Sequence, residues 1–257
     1  MGSYLDAFTM EGKVSIVTGG GRGIGLGIAR ALAGAGSDLL LVSRTEAQLA
    51  AAAGDIVRDF GCRVEIIAGD LTRIETFPGI VQRALDRFGR LDVLINNAGS
   101  NIRNPFLEVS EADYDAVMQI QLKSAYFMAQ AAAREMAKAG RGKIVNLASL
   151  SSKIAIPNIS IYGAAKGGIL SMTKALALEL AARNINVNAV APGYVRTHMT
   201  EAAFQDKDRC DWMLSRIPLG RFGTPEDIGN TALFLACPAS DYLTGEVIFV
   251  DGGWMAA

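Results

Sequence analysis

Tyr162 and Lys166 stand four residues apart in Tyr162-Gly163-Ala164-Ala165-Lys166, a spacing that puts both side chains on one face of a helix. A free tyrosine titrates near ~10, so proton transfer at neutral pH needs a neighbouring cation that favours the phenolate. Lys166 can supply that charge. Ser149, thirteen residues upstream of Tyr162, offers a hydroxyl that can hold the oxygen to which the proton moves. A Tyr-x-x-x-Lys pair alone is as readily a helix surface pair. The serine, and a glycine-rich turn elsewhere in the chain, make the combination specific.

That turn is Gly19-Gly20-Gly21-Arg22-Gly23-Ile24-Gly25, directly after the apolar run Val14–Thr18. Glycines permit a tight turn and let backbone N–H groups approach a pyrophosphate at a helix N-terminus. Its pattern is T-G-x-x-x-G-x-G instead of G-x-G-x-x-G, and no Gly-Lys-Ser/Thr closes it, which excludes a Walker loop. The next apolar run ends at Ser43-Arg44. An acid at this point suits a ribose 2′-hydroxyl, whereas arginine suits a 2′-phosphate. Arg22 adds a second positive group, so the pair favours NADP over NAD; the alternative for each is a solvated surface arginine.

The elements that must position these groups alternate. Strands are expected at Val14–Thr18, Leu39–Ser43, Val64–Ala68, Val93–Asn96, Ile144–Leu147, Val187–Ala191 and Val247–Val250. Helices are expected near 24–35, 45–60, 73–88, 111–139, 161–183 and 225–236. Runs such as Leu39-Leu40-Leu41-Val42 are apolar throughout, as strands covered on both faces are. Repeated strand–helix alternation implies right-handed crossovers and a doubly wound α/β parallel sheet of about seven strands, Rossmann-type, with helices on both faces. No linker or repeat divides residues 1–257, which read as a single dinucleotide-binding and catalytic domain. Each motif follows a strand, so all should meet at the carboxyl rim of the sheet.

Composition excludes other classes. The 25 Lys+Arg balance 26 Asp+Glu, with no basic tail or stripe for nucleic acid. Although half the residues are apolar, no run approaches the roughly 18 of a membrane span. Met1-Gly2-Ser3-Tyr4-Leu5-Asp6 lacks the parts of a signal peptide, and Asp6 stands where a myristoylation motif needs Ser or Thr. A cytoplasmic protein is expected. Cys62, Cys210 and Cys237 are far apart and His198 is the only histidine, so no zinc site is expected.

Taken together, these residues resemble the short-chain dehydrogenase/reductase family, from Lys13 to Gly253. The resemblance rests on Thr18-Gly19…Gly23-Ile24-Gly25, Asp70-Leu71, Asn96-Asn97-Ala98-Gly99, Ser149, Tyr162…Lys166, Pro192-Gly193…Thr197 and Asp251-Gly252-Gly253. It implies an alcohol/ketone oxidoreductase in which Ser149 positions the substrate oxygen and Tyr162 is the acid/base. Lys166 would bind ribose and lower the Tyr162 pKa. By the same resemblance Asp70 meets adenine, Asn97-Ala98-Gly99 lines the adenosine side, and Val195 and Thr197 hold the nicotinamide amide. A homotetramer is implied as well. Gln121 departs from the pattern: it stands where the family commonly has an Asn that helps a water link the lysine to solvent.

Asn101-Ile102-Arg103-Asn104 resembles the corresponding loop of sugar-acid members such as gluconate 5-dehydrogenase and 2-deoxygluconate 3-dehydrogenase. Arg103 beside the pocket can hold a substrate carboxylate, or can equally be structural. Tyr194 and His198 are further substrate candidates, in a segment, 194–218, long enough for a lid or for an ordinary helical excursion. The expected partner is thus a small sugar acid or polyol. The rival enzyme reading is a 3-oxoacyl carrier-protein reductase; the rival of another class is a non-catalytic NADP-binding regulator, against which the intact Ser149, Tyr162 and Lys166 argue.

Overall fold

β-Branched and leucine-rich runs too short for helices form the strands, and each is covered on both sides. In the computed structural model, which describes residues 3–197, 200 and 204–256, these are β1 (Val14–Thr18), β2 (Asp38–Ser43), β3 (Val64–Ala68), β4 (Val93–Asn96), β5 (Gly142–Leu147), β6 (Ile185–Pro192) and β7 (Val247–Val250). They form one sheet in the order β3-β2-β1-β4-β5-β6-β7, with every pairing parallel. Successive side chains go to opposite faces. Val17, Leu39, Leu41 and Ile95 therefore pack into one core, and Ile16, Leu40, Val42 and Leu94 into another.

The crossovers are α1 (Gly23–Gly34), α2 (Glu46–Phe60), α3 (Phe77–Phe88), α4 (Glu111–Met118), α5 (Ser124–Ala139), α6 (Ser160–Leu180), α7 (Lys207–Ser215) and α8 (Pro225–Ala236). Thr224 and Asp227 form a capping box on α8 with Pro225 inside its first turn. That start packs on α1 with almost no clearance. A Cβ on Gly27 would lie 2.5 Å from the Pro225 carbonyl oxygen, and one on Gly229 would lie 2.6 Å from the Gly27 oxygen.

Two elements differ from the sequence expectation. The helix expected over 111–139 is interrupted by a π-helical turn at Gln119–Lys123. The residue accommodated there turns Gln121 inward, 3% exposed, and lets Gln119 Nε2 donate to the Thr72 carbonyl. The helix expected from 73 begins at Phe77, after a 3-10 turn at Ile74–Thr76. The segment 194–218 contains α7, capped by Asp206, in keeping with the helical excursion offered as one of its two readings.

Gly27→Ala should destabilise the protein by about 1–2 kcal/mol, because backbone faces the new methyl and its overpacking outweighs the gain in helix propensity. Urea unfolding of the variant and parent checks this.

Candidate active site

The carboxyl ends of β1 and β4 are joined by one hydroxyl. Thr18 Oγ1 donates to the Ile95 carbonyl at 3.1 Å and accepts from the N–H groups of Asn97 (2.9 Å) and Ala98 (3.1 Å). Asn97 Nδ2 returns a bond to the Thr18 carbonyl at 2.9 Å. Gly19 turns away at φ +68°. The first turn of α1 then comes so close that a Cβ on Gly25 would lie 2.1 Å from the Gly19 oxygen. Glycine is required here by space, and the backbone N–H groups at this helix start face the cleft unshielded by side chains.

Below the rim runs a buried amide chain. Asn96 Nδ2 donates to Asn146 Oδ1 and to the Ala125 carbonyl, each at 3.0 Å. Asn146 Nδ2 donates to Thr173 Oγ1 at 3.0 Å, which fastens β4 and β5 to α5 and α6. Along α6, Tyr162 and Lys166 face the same way, with Lys166 Nζ 5.6 Å from the Tyr162 ring centroid. Lys166 is 5% exposed, and its Nζ donates to the Leu147 carbonyl at 2.5 Å. Ser149 lies just beyond β5 in extended backbone, φ −165°. Its Oγ accepts from the Ser151 N–H and hydroxyl.

Burial acts first on both titrating groups. It raises the Tyr162 phenol, against a smaller lowering by its hydrogen bond with Ser149. It lowers Lys166 from 10.5 to about 7. Lys166 Nζ lies beside the Tyr162 ring, where a charge on it would favour the phenolate. Gln121 differs from the expected relay. Its Nε2 donates to the Ser100 carbonyl, while its buried Oε1 has no partner.

Every residue expected to hold the cofactor, from Gly19 round to Thr197, borders one cavity of about 1250 Å³, together with Ser149, Tyr162, Lys166 and Gln121. The chemistry of that wall suits a phosphorylated dinucleotide. Ser43 Oγ is buried without a hydrogen-bond partner beside Gly21, and Arg22 and Arg44 border the same space. Asp70 is held below the usual carboxylate range by the Thr72 backbone and side chain, with Arg44 a smaller contributor. Arg103 and Tyr194, expected at the substrate pocket, do not border this cavity. Tyr194 packs instead against Trp254, ring centroids 5.1 Å apart. His198 lies outside the described residues.

Some contributors were not visible in the sequence. Asn146 and Thr173 carry no motif beyond being polar in apolar runs. Thr200 Oγ1 donates to the Val195 carbonyl at 2.7 Å and accepts from the Thr197 N–H at 3.0 Å, shaping the segment after β6. Among the described residues no group of three His, Cys, Asp or Glu could hold a metal ion.

Known proteins are similar to this chain over nearly its whole length. The profile of the family described as enoyl-(acyl carrier protein) reductase matches residues 19–255. The 2-dehydro-3-deoxy-D-gluconate 5-dehydrogenase of Escherichia coli (strain K12) is 43% identical over 253 residues, covering 98% of this chain and 99% of that one. A 3-oxoacyl-(acyl-carrier-protein) reductase of Chlamydia pneumoniae is 41% identical, covering 95% and 98%. The solved structure of a gluconate 5-dehydrogenase from Burkholderia cenocepacia J2315, in complex with NADP and tartrate, superposes with a TM-score of 0.95 at 36% identity, covering 99% and 100%.

The lowered Lys166 pKa has a measurable sign. Between about 7 and about 10, unfolded chains hold a proton on this lysine that the folded protein has released. Nucleotide-free protein should therefore gain stability from Lys166 as pH rises through that window, and Lys166→Met should flatten the rise. Urea unfolding at about pH 7 and about pH 9 measures it, and equal slopes in parent and variant would refute the lowered pKa.

Proposed function

The chain belongs to the short-chain dehydrogenase/reductase family, and from that premise we propose that it interconverts a secondary alcohol and a ketone on a small sugar acid, with NADP(H) as its cofactor. The observation that carries the reading is that Ser149, Tyr162 and Lys166 border the same cavity as the glycine turn and the two arginines. The sugar-acid dehydrogenases among its relatives support the substrate class, and the NADP bound in solved relatives supports the cofactor.

The glycine turn would hold the pyrophosphate, and Ser43, Arg44 and Arg22 the 2′-phosphate. Asp70 would meet adenine, Asn97-Ala98-Gly99 the adenosine side, Lys166 a ribose, and Val195 and Thr197 the nicotinamide amide. When bound, the dinucleotide supplies or accepts the hydride. The protein's own residues manage the proton. Ser149 Oγ orients the substrate oxygen. Tyr162 Oη, kept protonated by burial, gives that oxygen its proton in reduction and takes it back in oxidation. Lys166, near its midpoint at neutral pH, exchanges protons with the phenol. The unpartnered Gln121 Oε1 offers an acceptor for a water on the way to solvent.

The same reading includes a lid over 194–218, one domain over 1–257, a homotetramer and a cytoplasmic setting. Cys62, Cys210 and Cys237 form no disulfide, as suits a reducing compartment. Among the described residues no helix is long and apolar enough to cross a membrane.

Sugar acids, polyols and 3-oxoacyl thioesters assayed with both cofactors test the substrate class. Sugar acids with NADP(H) should give the highest kcat/KM, and a preference for thioesters would instead favour the carrier-protein reductase reading. In the same assay Tyr162→Phe should bind cofactor like the parent yet lose roughly 10²–10⁴-fold in kcat.

Arg44→Ala should raise the KM for NADPH over that for NADH by roughly tenfold to a hundredfold, the size of a lost charge-assisted hydrogen bond. Equal changes for both cofactors would show that Arg44 does not read the 2′-phosphate.

A further inference from the structure

The outermost strand of the sheet carries one wall of the dinucleotide cavity. β3 ends the sheet, paired with β2, and the loop that leaves it, Asp70-Leu71-Thr72, borders the cavity. The Gly69 N–H ties the start of this loop to the Ser43 carbonyl at 2.9 Å. Leu71, 5% exposed, shares a core with Phe77 and Ile80. Asp70 Oδ1 accepts the Thr72 N–H at 2.9 Å, a bond that closes a turn without fastening it to the rest of the molecule. The Thr72 carbonyl reaches the other way. It accepts from Gln119 Nε2 at 2.6 Å, across 47 residues of sequence.

Gln119 can make that bond because of the π-helical turn it opens. In Gln119–Lys123 the Ser124 N–H passes over the Ile120 carbonyl and donates to that of Gln119. Ser124 Oγ donates to the Ile120 carbonyl instead, at 2.9 Å, so the extra residue strands no backbone acceptor there. One added residue turns everything before it by about 100° relative to α5. Gln119 thus reaches the loop after β3, while Gln121, two residues on, reaches Ser100 in the loop after β4 and packs on Gly99. Both glutamines border the cavity. A single turn therefore braces two loops whose strands are separated in the sheet by β2 and β1. Insertions of this kind are rare in helices and recur at functional sites.

We infer that Gln119 is a positioning residue for the adenine end of the cofactor, holding Asp70-Leu71-Thr72 in place against the cavity. The inference rests on the dinucleotide reading and adds to it the residue that sets the depth of the adenine wall. Adenine is flat and carries its hydrogen-bonding groups along its edge, so a loop that meets that edge must be fixed in position. An apolar side chain in place of Gln119 leaves the half-buried Thr72 carbonyl without its donor, and the loop is then free to draw away toward water. Gln119 acts through that loop and takes no part in proton transfer.

Calorimetric titration of adenosine 2′,5′-bisphosphate, which has the adenine and the 2′-phosphate but no nicotinamide, tests the brace. Gln119→Met, about as long but unable to donate, should bind it roughly tenfold more weakly than the parent. Hydrogen exchange read by mass spectrometry supplies a second measure. In nucleotide-free Gln119→Met the amides of 70–76 should exchange faster, while those of 19–25 keep the parent's rates. An affinity within twofold of the parent would overturn the inference, as would unchanged exchange at 70–76 or faster exchange over the whole chain. The cofactor reading fails separately. A parent that binds 5′-ADP but not the bisphosphate, with the same loss in Gln119→Met, would uphold the brace and remove NADP as the cofactor. A parent that binds neither would overturn both.

Discussion

The cleft depends on the bonds made by a single hydroxyl where the strand order reverses. β2 and β4 lie on opposite sides of β1, so the crossovers leave β1 in opposite directions and a crevice opens above its carboxyl end. Thr18 Oγ1 ties that end to β4 through Ile95, Asn97 and Ala98. The glycine turn, the Asn97–Gly99 strand end and the start of α1 therefore keep fixed relative positions. The close packing of Gly25 on the Gly19 carbonyl leaves no room for a side chain in this joint. A pyrophosphate site made of backbone N–H groups has no side chains to adjust, so rigidity must come from the frame.

On the other side of the cleft, burial both equips the catalytic pair and costs stability. The amide chain Asn96–Asn146–Thr173 satisfies polar groups that would otherwise be stranded beneath the site. Lys166 has only the Leu147 carbonyl, and desolvation moves its proton affinity toward neutrality. The same desolvation keeps Tyr162 protonated. The two shifts separate proton affinities that are nearly equal in water, leaving the phenol the group that keeps its proton and the lysine the one that gives its proton up near neutrality.

Much of this was legible in the sequence, for identifiable reasons. Val14–Thr18, Val64–Ala68, Val93–Asn96 and Val247–Val250 were read to the residue, because short β-rich runs between turn residues leave little else to form. The residues expected around the cofactor border one cavity because each follows a strand. The π-helical turn at Gln119–Lys123 was hidden, since an apolar stripe looks continuous whether or not one turn holds an extra residue. The bounds of Lys207–Ser215 were hidden because five of its nine residues are Lys, Asp, Arg or Ser and only one side packs. Asn146 and Thr173 looked like any polar residues in apolar runs.

The sheet order also dictates when the protein can fold. β1 and β2 pair soon after they are made, but the other edge of β1 is matched only by β4, which begins at Val93. At synthesis rates of roughly 5–20 residues per second, about 4–15 seconds separate the two strands at the ribosome. During that interval the unpaired N–H and C=O groups of a strand that is wholly buried in the finished fold are exposed at an open edge. Parallel pairings this far apart in sequence also place the chain among slow folders. The arrangement that centres β1 in the finished sheet thus leaves the nascent chain prone to aggregation until its middle third emerges.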